Sequence, residues 1–241
     1  MVKVLILGGT AEARALAEAL APRHHVTTSL AGRTRNPETL PGTVRTGGFG
    51  GAEGLRRYVE ENAIDAVIDA THPFAETISA NARQACTTTP RLRLDRPAWT
   101  LPATAAVIRV PDMKQAAQRL PDVAKRAFLT VGADSLSAFH QVEGVWMLAR
   151  VLEAPTAPTP FEIVVARPPF AQANERALLQ THAIDTVVAK DAGGTATEAK
   201  ISAAIKEEVT LILIDRPAPE PGERVETVDD AVAWLESLVG C

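Results

Sequence analysis

The chain has 241 residues, 46% hydrophobic and 22% charged, with a net charge of −4, a profile of one large or two small globular domains. The acidic balance and the 4% aromatic content argue against a general nucleic-acid binder and against a base-stacking platform. No apolar run approaches the roughly 20 residues that span a bilayer, no signal-peptide pattern is visible, and the two cysteines, Cys86 and Cys241, have no metal-ligating spacing, which fits a reducing cytoplasm.

Val2 to Leu7 is an apolar run that reads as a strand buried in a parallel sheet. Gly8-Gly9-Thr10 follows, then Ala11 to Leu20, free of Pro and Gly and rich in helix formers. A glycine turn between such a strand and helix leaves N–H groups unpaired at a helix N-terminus, where the dipole also favours an anion. Gly8, Gly9, Thr10, Glu12 and Ala13 are therefore the expected site for the pyrophosphate of a nicotinamide dinucleotide. The G-x-G-x-x-G fingerprint is incomplete here, and an ordinary strand-to-helix turn has the same look. Thr10 is placed to cap the helix. Glu12, in the first turn, suits a sugar hydroxyl or a backbone amide better than a phosphate.

His25 to Arg33 reads as a second strand and its exit loop. NAD-binding units place an acid near this point for the ribose 2′-hydroxyl. Here Ser29 stands 21 residues beyond Gly8, and no acid follows until Glu38. Instead Gly32, Arg33, Thr34 and Arg35 arrive, with Ala31 just before them. An arginine fork matches a phosphate in bidentate fashion, so this loop favours NADPH over NADH; the plainer reading is a solvated basic loop. Val44 to Thr46 is a short strand. Gly47, Gly48, Phe49, Gly50 and Gly51 would let the backbone approach a ligand closely, with Phe49 able to press on a ring. The alternative is a flexible connector to a helix over Glu53 to Glu61.

Ala63 to Thr71 is another buried strand. At its carboxyl end, where open α/β sheets bind ligands, stand Thr71, His72, Pro73 and Phe74, with a helix expected from Phe74 to Ala85. His72 is the histidine best placed for chemistry, although a hydrogen-bonded structural imidazole is commoner. His72 and Glu76 lie one helical turn apart with no third ligand nearby, so no metal site is expected. Cys86 reads as a small buried hydrophobe. Arg91 to Leu94 alternates as a half-exposed strand would. Pro97 and Pro102 then mark a boundary, giving domains over 1–103 and 104–241.

The second half alternates again. Strands are expected at Val107 to Val110, Ala127 to Val131, Val145 to Val151, Phe161 to Ala166, Thr186 to Ala189 and Leu211 to Ile214. Helices are expected at Asp112 (as N-cap) to Leu120, Gln172 to Thr181, Glu198 to Glu208 and Val228 to Leu238. Such alternation needs its own parallel sheet. Lys190 ends a strand and Gly193-Gly194 repeats the glycine turn, flanked by Lys190 and Lys200. That turn either binds anionic groups or is bland, with solvated lysines. The expected fold class is therefore α/β, with two Rossmann-like or flavodoxin-like parallel-sheet domains and a cleft between them.

Taken in order, GGTAEARALA, AGRTR, GGFGG, DATHPFAETISANA, RPAW, KDAGGTATEAK and LIDRPAP resemble the precorrin-6A reductases of cobalamin biosynthesis. The likeness runs to near Pro219. It implies an oxidoreductase that uses NADPH to reduce one carbon–carbon double bond of the precorrin-6A macrocycle, giving precorrin-6B. The first domain would hold NADPH and the second the tetrapyrrole. Because that substrate carries many carboxylates, the resemblance implies a site lined with cations: Arg14, Arg150, Lys190 and Lys200, together with Gly193 and Gly194. Arg91, Arg93 and Arg96 form a second cluster, which a solvated strand face explains equally well. Arg14 and Lys190 are the residues expected at the reacting centre. His72, Asp134, Glu153 or water would supply the proton, and no metal or flavin is implied. No nucleic-acid or membrane partner is expected; hand-over to neighbouring pathway enzymes is. A short-chain dehydrogenase is a poorer reading, since Tyr58, the single tyrosine, has Asn62 and not Lys four residues on. A cobalt-precorrin-6A reductase and a non-catalytic NADP(H) sensor remain alternatives.

Overall fold

The computed structural model describes residues 1–32 and 39–239. It divides into two units, Met1–Pro97 with Pro217–Cys241, and Ala98–Arg216. In chain order the first unit has β1 (Lys3–Leu7), α1 (Ala11–Leu20), β2 (His25–Leu30), β3 (Thr43–Thr46), α2 (Gly51–Glu61), β4 (Ala66–Asp69), α3 (Glu76–Ala85) and β5 (Arg91–Leu94). The second has β6 (Val107–Val110), α4 (Met113–Val123), β7 (Arg126–Leu129), a 3-10 helix (Ala133–Phe139), β8 (Trp146–Val151), β9 (Glu162–Val165), α5 (Gln172–Thr181), β10 (Thr186–Lys190), α6 (Glu198–Lys206) and β11 (Thr210–Ile214). The chain then returns to the first unit with β12 (Glu223–Val225) and α7 (Val228–Val239).

Both sheets are six-stranded, in the orders β12-β5-β4-β1-β2-β3 and β6-β11-β10-β7-β8-β9, and every pairing is parallel. In the first sheet the chain runs outward from β1 through β2 and β3, then crosses back to β4 and β5. The second does the same from β7. The strand order thus reverses between β1 and β4 and between β7 and β10, the Rossmann arrangement and not the flavodoxin one. The sixth strand differs in origin. In the first sheet it is β12, from the far end of the chain; in the second it is β6, which precedes the rest. The sequence pattern alone puts the boundary at residue 103 and the C-terminal stretch in the second half. The division instead falls at Pro97, because β12 pairs with β5 through Arg224↔Arg93 and α7 packs against α1.

The alternation of β1 builds two hydrophobic layers, as a pleated strand requires. Val4 and Ile6 pack with Ala13, Leu16, Ala17 and Leu20 of α1 and with Ala231 and Leu235 of α7. Leu5 and Leu7 pack with Leu55 and Val59 of α2 and Ala82 of α3. The α1 set lies at i, i+3, i+4 and i+7, one face of a helix. In the second unit Phe128, Val187, Ala189, Leu211 and Leu213 form the corresponding layer with Leu179, Ile201 and Ala204.

Two sequence expectations change here. The helix predicted from Phe74 starts at Glu76, since Phe74 N donates to His72 Nδ1 (3.2 Å) and Ala75 N to the His72 carbonyl (2.8 Å). His72 and Pro73 make a turn ahead of the helix. Strand β5 is not half-exposed: Leu92, Arg93 and Leu94 are all buried, because Arg93 is paired inside the unit. Among the described residues, no helix is long and apolar enough to cross a membrane.

Candidate functional site

In the first unit the carboxyl edge of the sheet gathers three loops. At the first, Thr10 caps α1: its Oγ1 accepts from Ala13 N (3.1 Å) and donates to the Ala70 carbonyl (2.7 Å). The cap ties the turn after β1 to the segment after β4. It leaves the N–H groups ahead of Ala13 without helical acceptors, as at any helix start. Gly8 is packed tightly, since a Cβ there would lie 2.9 Å from Thr28 Cγ2. Gly9 has φ +106° and open space where a Cβ would stand, a bare backbone segment that a ligand can approach. Glu12 meets Arg96, Nη1 to Oε2 at 2.5 Å. Its charge is therefore offset within the unit. These features fit a dinucleotide's phosphates, with Ala11 and Glu12 N–H as the donors.

The second loop follows β2 and β3. Ser29 is buried at the end of β2. Gly32 has φ +77°, and a Cβ there would lie 3.0 Å from Thr46 Cγ2, while Gly47 N donates to the Leu30 carbonyl (2.9 Å). The loops after β2 and β3 are thus stitched together. Ala31 is described; Arg33 and Thr34 lie outside the described residues. No added Cβ would meet anything at Gly47, Gly48, Gly50 or Gly51. Phe49 does not present an empty ring face: Arg45 Cζ lies 3.8 Å from its centroid, and Tyr58 meets it edge-on at 5.3 Å.

The third loop, Thr71 to Phe74, is anchored from beneath. Asp69, wholly buried, accepts from Thr71 N (3.1 Å), Thr71 Oγ1 (2.7 Å) and Ser79 Oγ (2.6 Å), and pairs with Arg93 Nη1 at 2.7 Å. Arg93 also donates to the Thr71 carbonyl (3.1 Å). A buried ion pair is tolerable when its remaining lone pairs and protons are satisfied, as here. The sequence offers Arg93 only as one of a basic cluster, and gives Asp69 no role. The signal was an aspartate closing the otherwise apolar strand Ala66–Asp69.

The second unit has a different edge. Lys190 Nζ donates to Ser135 Oγ (3.1 Å). Gly193 and Gly194 both have positive φ, 61° and 71°, and Trp99 Nε1 donates to the Gly194 carbonyl (2.9 Å). Lys200 is buried, with Nζ 5.7 Å from the centre of the Trp99 ring. Asp191, also buried, pairs with Arg109 (2.9 Å), which reaches Asp215 as well (2.6 Å). Hydrogen bonds to Asp215 and then Asp191 raise the Arg109 pKa further above its ordinary value. Arg150 is not an open cation. Its fork is filled by Glu175, at 2.5 and 2.9 Å, and its guanidinium stacks 3.8 Å over Phe170. Lys190, Gly193, Gly194 and Lys200 share one segment and the helix after it, whereas Arg150 is two strands away on β8. Arg14 is half-buried on α1, in the first unit, and its N–H donates to the Thr10 carbonyl (3.2 Å). Of the second arginine cluster, Arg93 and Arg96 serve ion pairs and Arg91 donates to the Pro221 carbonyl (2.5 Å), so none is a solvated strand face. Among the described residues no group of three or more His, Cys, Asp or Glu could hold a metal ion.

Two open parallel sheets, each with shaped loops beyond the carboxyl ends of its central strands, put the molecule in the α/β class that carries ligands at its switch points. Within that class the chain belongs to the precorrin-6x reductase CbiJ/CobK family, whose model matches residues 3–236. A precorrin-6A reductase from Rhodococcus erythropolis is 43% identical over 247 residues, covering 99% of each chain. A cobalt-precorrin-6A reductase from Synechocystis is 32% identical, covering 91% of this chain and 90% of the relative. The solved structure of a CobK precorrin-6A reductase, 39% identical, superposes with a TM-score of 0.94 over 98% of this chain and 97% of that one.

Proposed function

We propose that this chain reduces one carbon–carbon double bond of precorrin-6A with NADPH, yielding precorrin-6B, as a cytoplasmic enzyme that hands its product to a neighbouring enzyme. The observation that carries the coenzyme half of this reading is the open, left-handed Gly9 backbone between a buried strand and the capped helix α1. Bound there, NADPH would supply a hydride from its nicotinamide ring. The chain's own residues do the rest. Gly8, Gly9 and the first N–H groups of α1 hold the pyrophosphate, where the dipole and unpaired donors favour negative charge. Arg96 offsets Glu12, which would otherwise repel it. Ser29, Ala31, Gly32, Arg33, Thr34 and Gly47 to Gly51 surround the adenosine end. Thr71 to Phe74, held by Asp69 and Arg93, border the nicotinamide end.

The second unit takes the macrocycle. Lys190, Lys200, Gly193 and Gly194 receive substrate carboxylates there, while Arg14, on α1 of the first unit, is a cation for a carboxylate on its own side. Each such contact to a carboxylate helps hold the reacting carbon in line. Positioning of that kind contributes up to roughly 7–11 kcal/mol to lowering a barrier. Arg150 acts indirectly, by fixing α5 against β8 through Glu175. Metal-free precorrin-6A is favoured over its cobalt complex by the greater identity to the relative named for the metal-free substrate. The test is anaerobic incubation of the purified protein with precorrin-6A and NADPH. Consumption of NADPH with a product heavier by two hydrogens supports the reading. No consumption, or consumption only with the cobalt complex, refutes it or redirects it to the cobalt route.

A further inference from the structure

We propose that Arg45, held against Ser29, is the residue that selects the 2′-phosphate of the coenzyme. The inference rests on the coenzyme reading above. Strand β2 ends at the position where NAD-binding sheets carry an acid for the ribose hydroxyls, and this chain has the neutral Ser29 there. The neighbouring strand supplies a cation in its place. β2 and β3 pair in parallel with Ser29 opposite Arg45, and Arg45 Nη1 donates to Ser29 Oγ at 2.7 Å.

The guanidinium is fixed on two further sides. Nη1 also donates to the Gly47 carbonyl (3.0 Å) and Nη2 to the Gly48 carbonyl (3.1 Å). One face lies 3.8 Å over Phe49, with Tyr58 at 5.1 Å. No carboxylate pairs with Arg45 among the described residues, in contrast to Arg93, Arg96, Arg109 and Arg150. Among the described residues its charge is therefore uncompensated and Nε–H has no acceptor. Ser29 Oγ accepts from Arg45 and keeps its own proton to donate. An uncompensated, immobilised guanidinium beside a hydroxyl donor is a receptor for a phosphate monoester dianion. For a vicinal diol it offers too few acceptors. The glycines on either side of Phe49 let the loop curl its carbonyls onto the guanidinium. This gives the GGFGG segment a role distinct from touching the coenzyme.

The test is calorimetric binding of NADP+, NAD+ and 2′,5′-ADP to the full chain, with the NADPH-to-NADH ratio of kcat/KM as a second readout. Arg45→Ala should weaken NADP+ and 2′,5′-ADP by about tenfold or more, the scale of a lost charged hydrogen bond. NAD+ affinity should hold within a few-fold, which also reports an intact fold. Arg45→Lys should fall between. Ser29→Asp should lower NADP+ affinity and spare NAD+, because an acid there captures Arg45 and repels phosphate. Equal losses for both coenzymes in Arg45→Ala would make Arg45 a support for the loop and overturn the assignment. So would an unchanged ratio alongside a collapsed one in Arg33→Ala. A native protein that binds NAD+ as tightly as NADP+ would instead refute the NADPH reading itself.

Discussion

The two units share a strand order but prepare different edges. In the first, β1 leads through Gly8-Gly9 into a ten-residue α-helix capped by Thr10. In the second, the equivalent strand β7 leads through Gly132 into a seven-residue 3-10 helix with no side-chain cap. One edge presents backbone donors at a helix start, and the other presents lysines beside a pair of left-handed glycines. On the function proposed above, a common frame receives anions through main chain on one sheet and through side-chain ammonium groups on the other. Each edge also contains an acid that an arginine from the same unit neutralises, Glu12 by Arg96 and Asp191 by Arg109.

The comparison is tested most severely at the buried ion pairs. Asp69→Ala leaves buried Arg93 with only the longer contact to Asp95 at 3.9 Å, and Glu175→Ala removes the ion pair of buried Arg150, so each should lower the stability of its unit by about 3–5 kcal/mol, Glu175→Ala by the larger amount. Urea unfolding can separate the two, because Trp99 and Trp146 report the second unit and Trp234 the first. A wild-type midpoint in either variant would break the equivalence. A smaller effect should divide the ligands. Lys190→Ala is expected to raise KM for the precorrin by about tenfold, the cost of a lost charged contact, with NADPH affinity unchanged by fluorescence titration. A matching loss of NADPH affinity would contradict the division of labour.

Thr10→Ala should cost about 1 kcal/mol in thermal or urea unfolding, as an N-cap does; the equivalent 3-10 helix of the second unit has no such cap to lose. The smallest expectation concerns Cys86. Burial, outweighing the nearby Arg91, pushes its thiol up to about 11 from 9.0. At neutral pH it should react slowly with a disulfide reagent until urea is added. Above pH 9 the unfolded chain releases this proton while the folded one keeps it, so stability contributed by Cys86 falls as pH rises from 9 toward 11. Rapid labelling at Cys86 in the native protein, located by peptide mapping, would count against that burial.

Local chemistry made much of the first unit legible. Period-2 and period-3.6 patterns marked β1 and α1, and Thr10 announced its cap. What escaped was set by distant partners. Arg93 reads as a surface residue until Asp69, from another strand, is beside it. Arg150 reads as an open cation until Glu175 arrives from α5. That Arg45 lies over one face of Phe49 follows from the register of β3 and the curl of the glycine loop, neither of which a local pattern shows. β12 is three residues long and mostly exposed, too short to carry a period, so its pairing with β5 had no sequence signal. A repeat was visible yet unread: Leu94-Asp95-Arg96-Pro97-Ala98 and Ile214-Asp215-Arg216-Pro217-Ala218 close the fifth strand of each Rossmann-type order. Both passages of the chain between units fall within it, and Arg216 Nε donates to the Asp191 carbonyl (2.7 Å) as Arg96 serves Glu12.

The return of β12 and α7 has a consequence for biogenesis. Residues Ala98–Arg216 form an uninterrupted insert, free to fold as soon as they leave the ribosome. The earlier-made segment must wait, its β5 edge open and Leu16 and Leu20 of α1 lacking Ala231 and Leu235, until the final stretch is translated. A chain stopped after Arg216 would expose that unfinished surface, and a chaperone that shields apolar edges would find its client there.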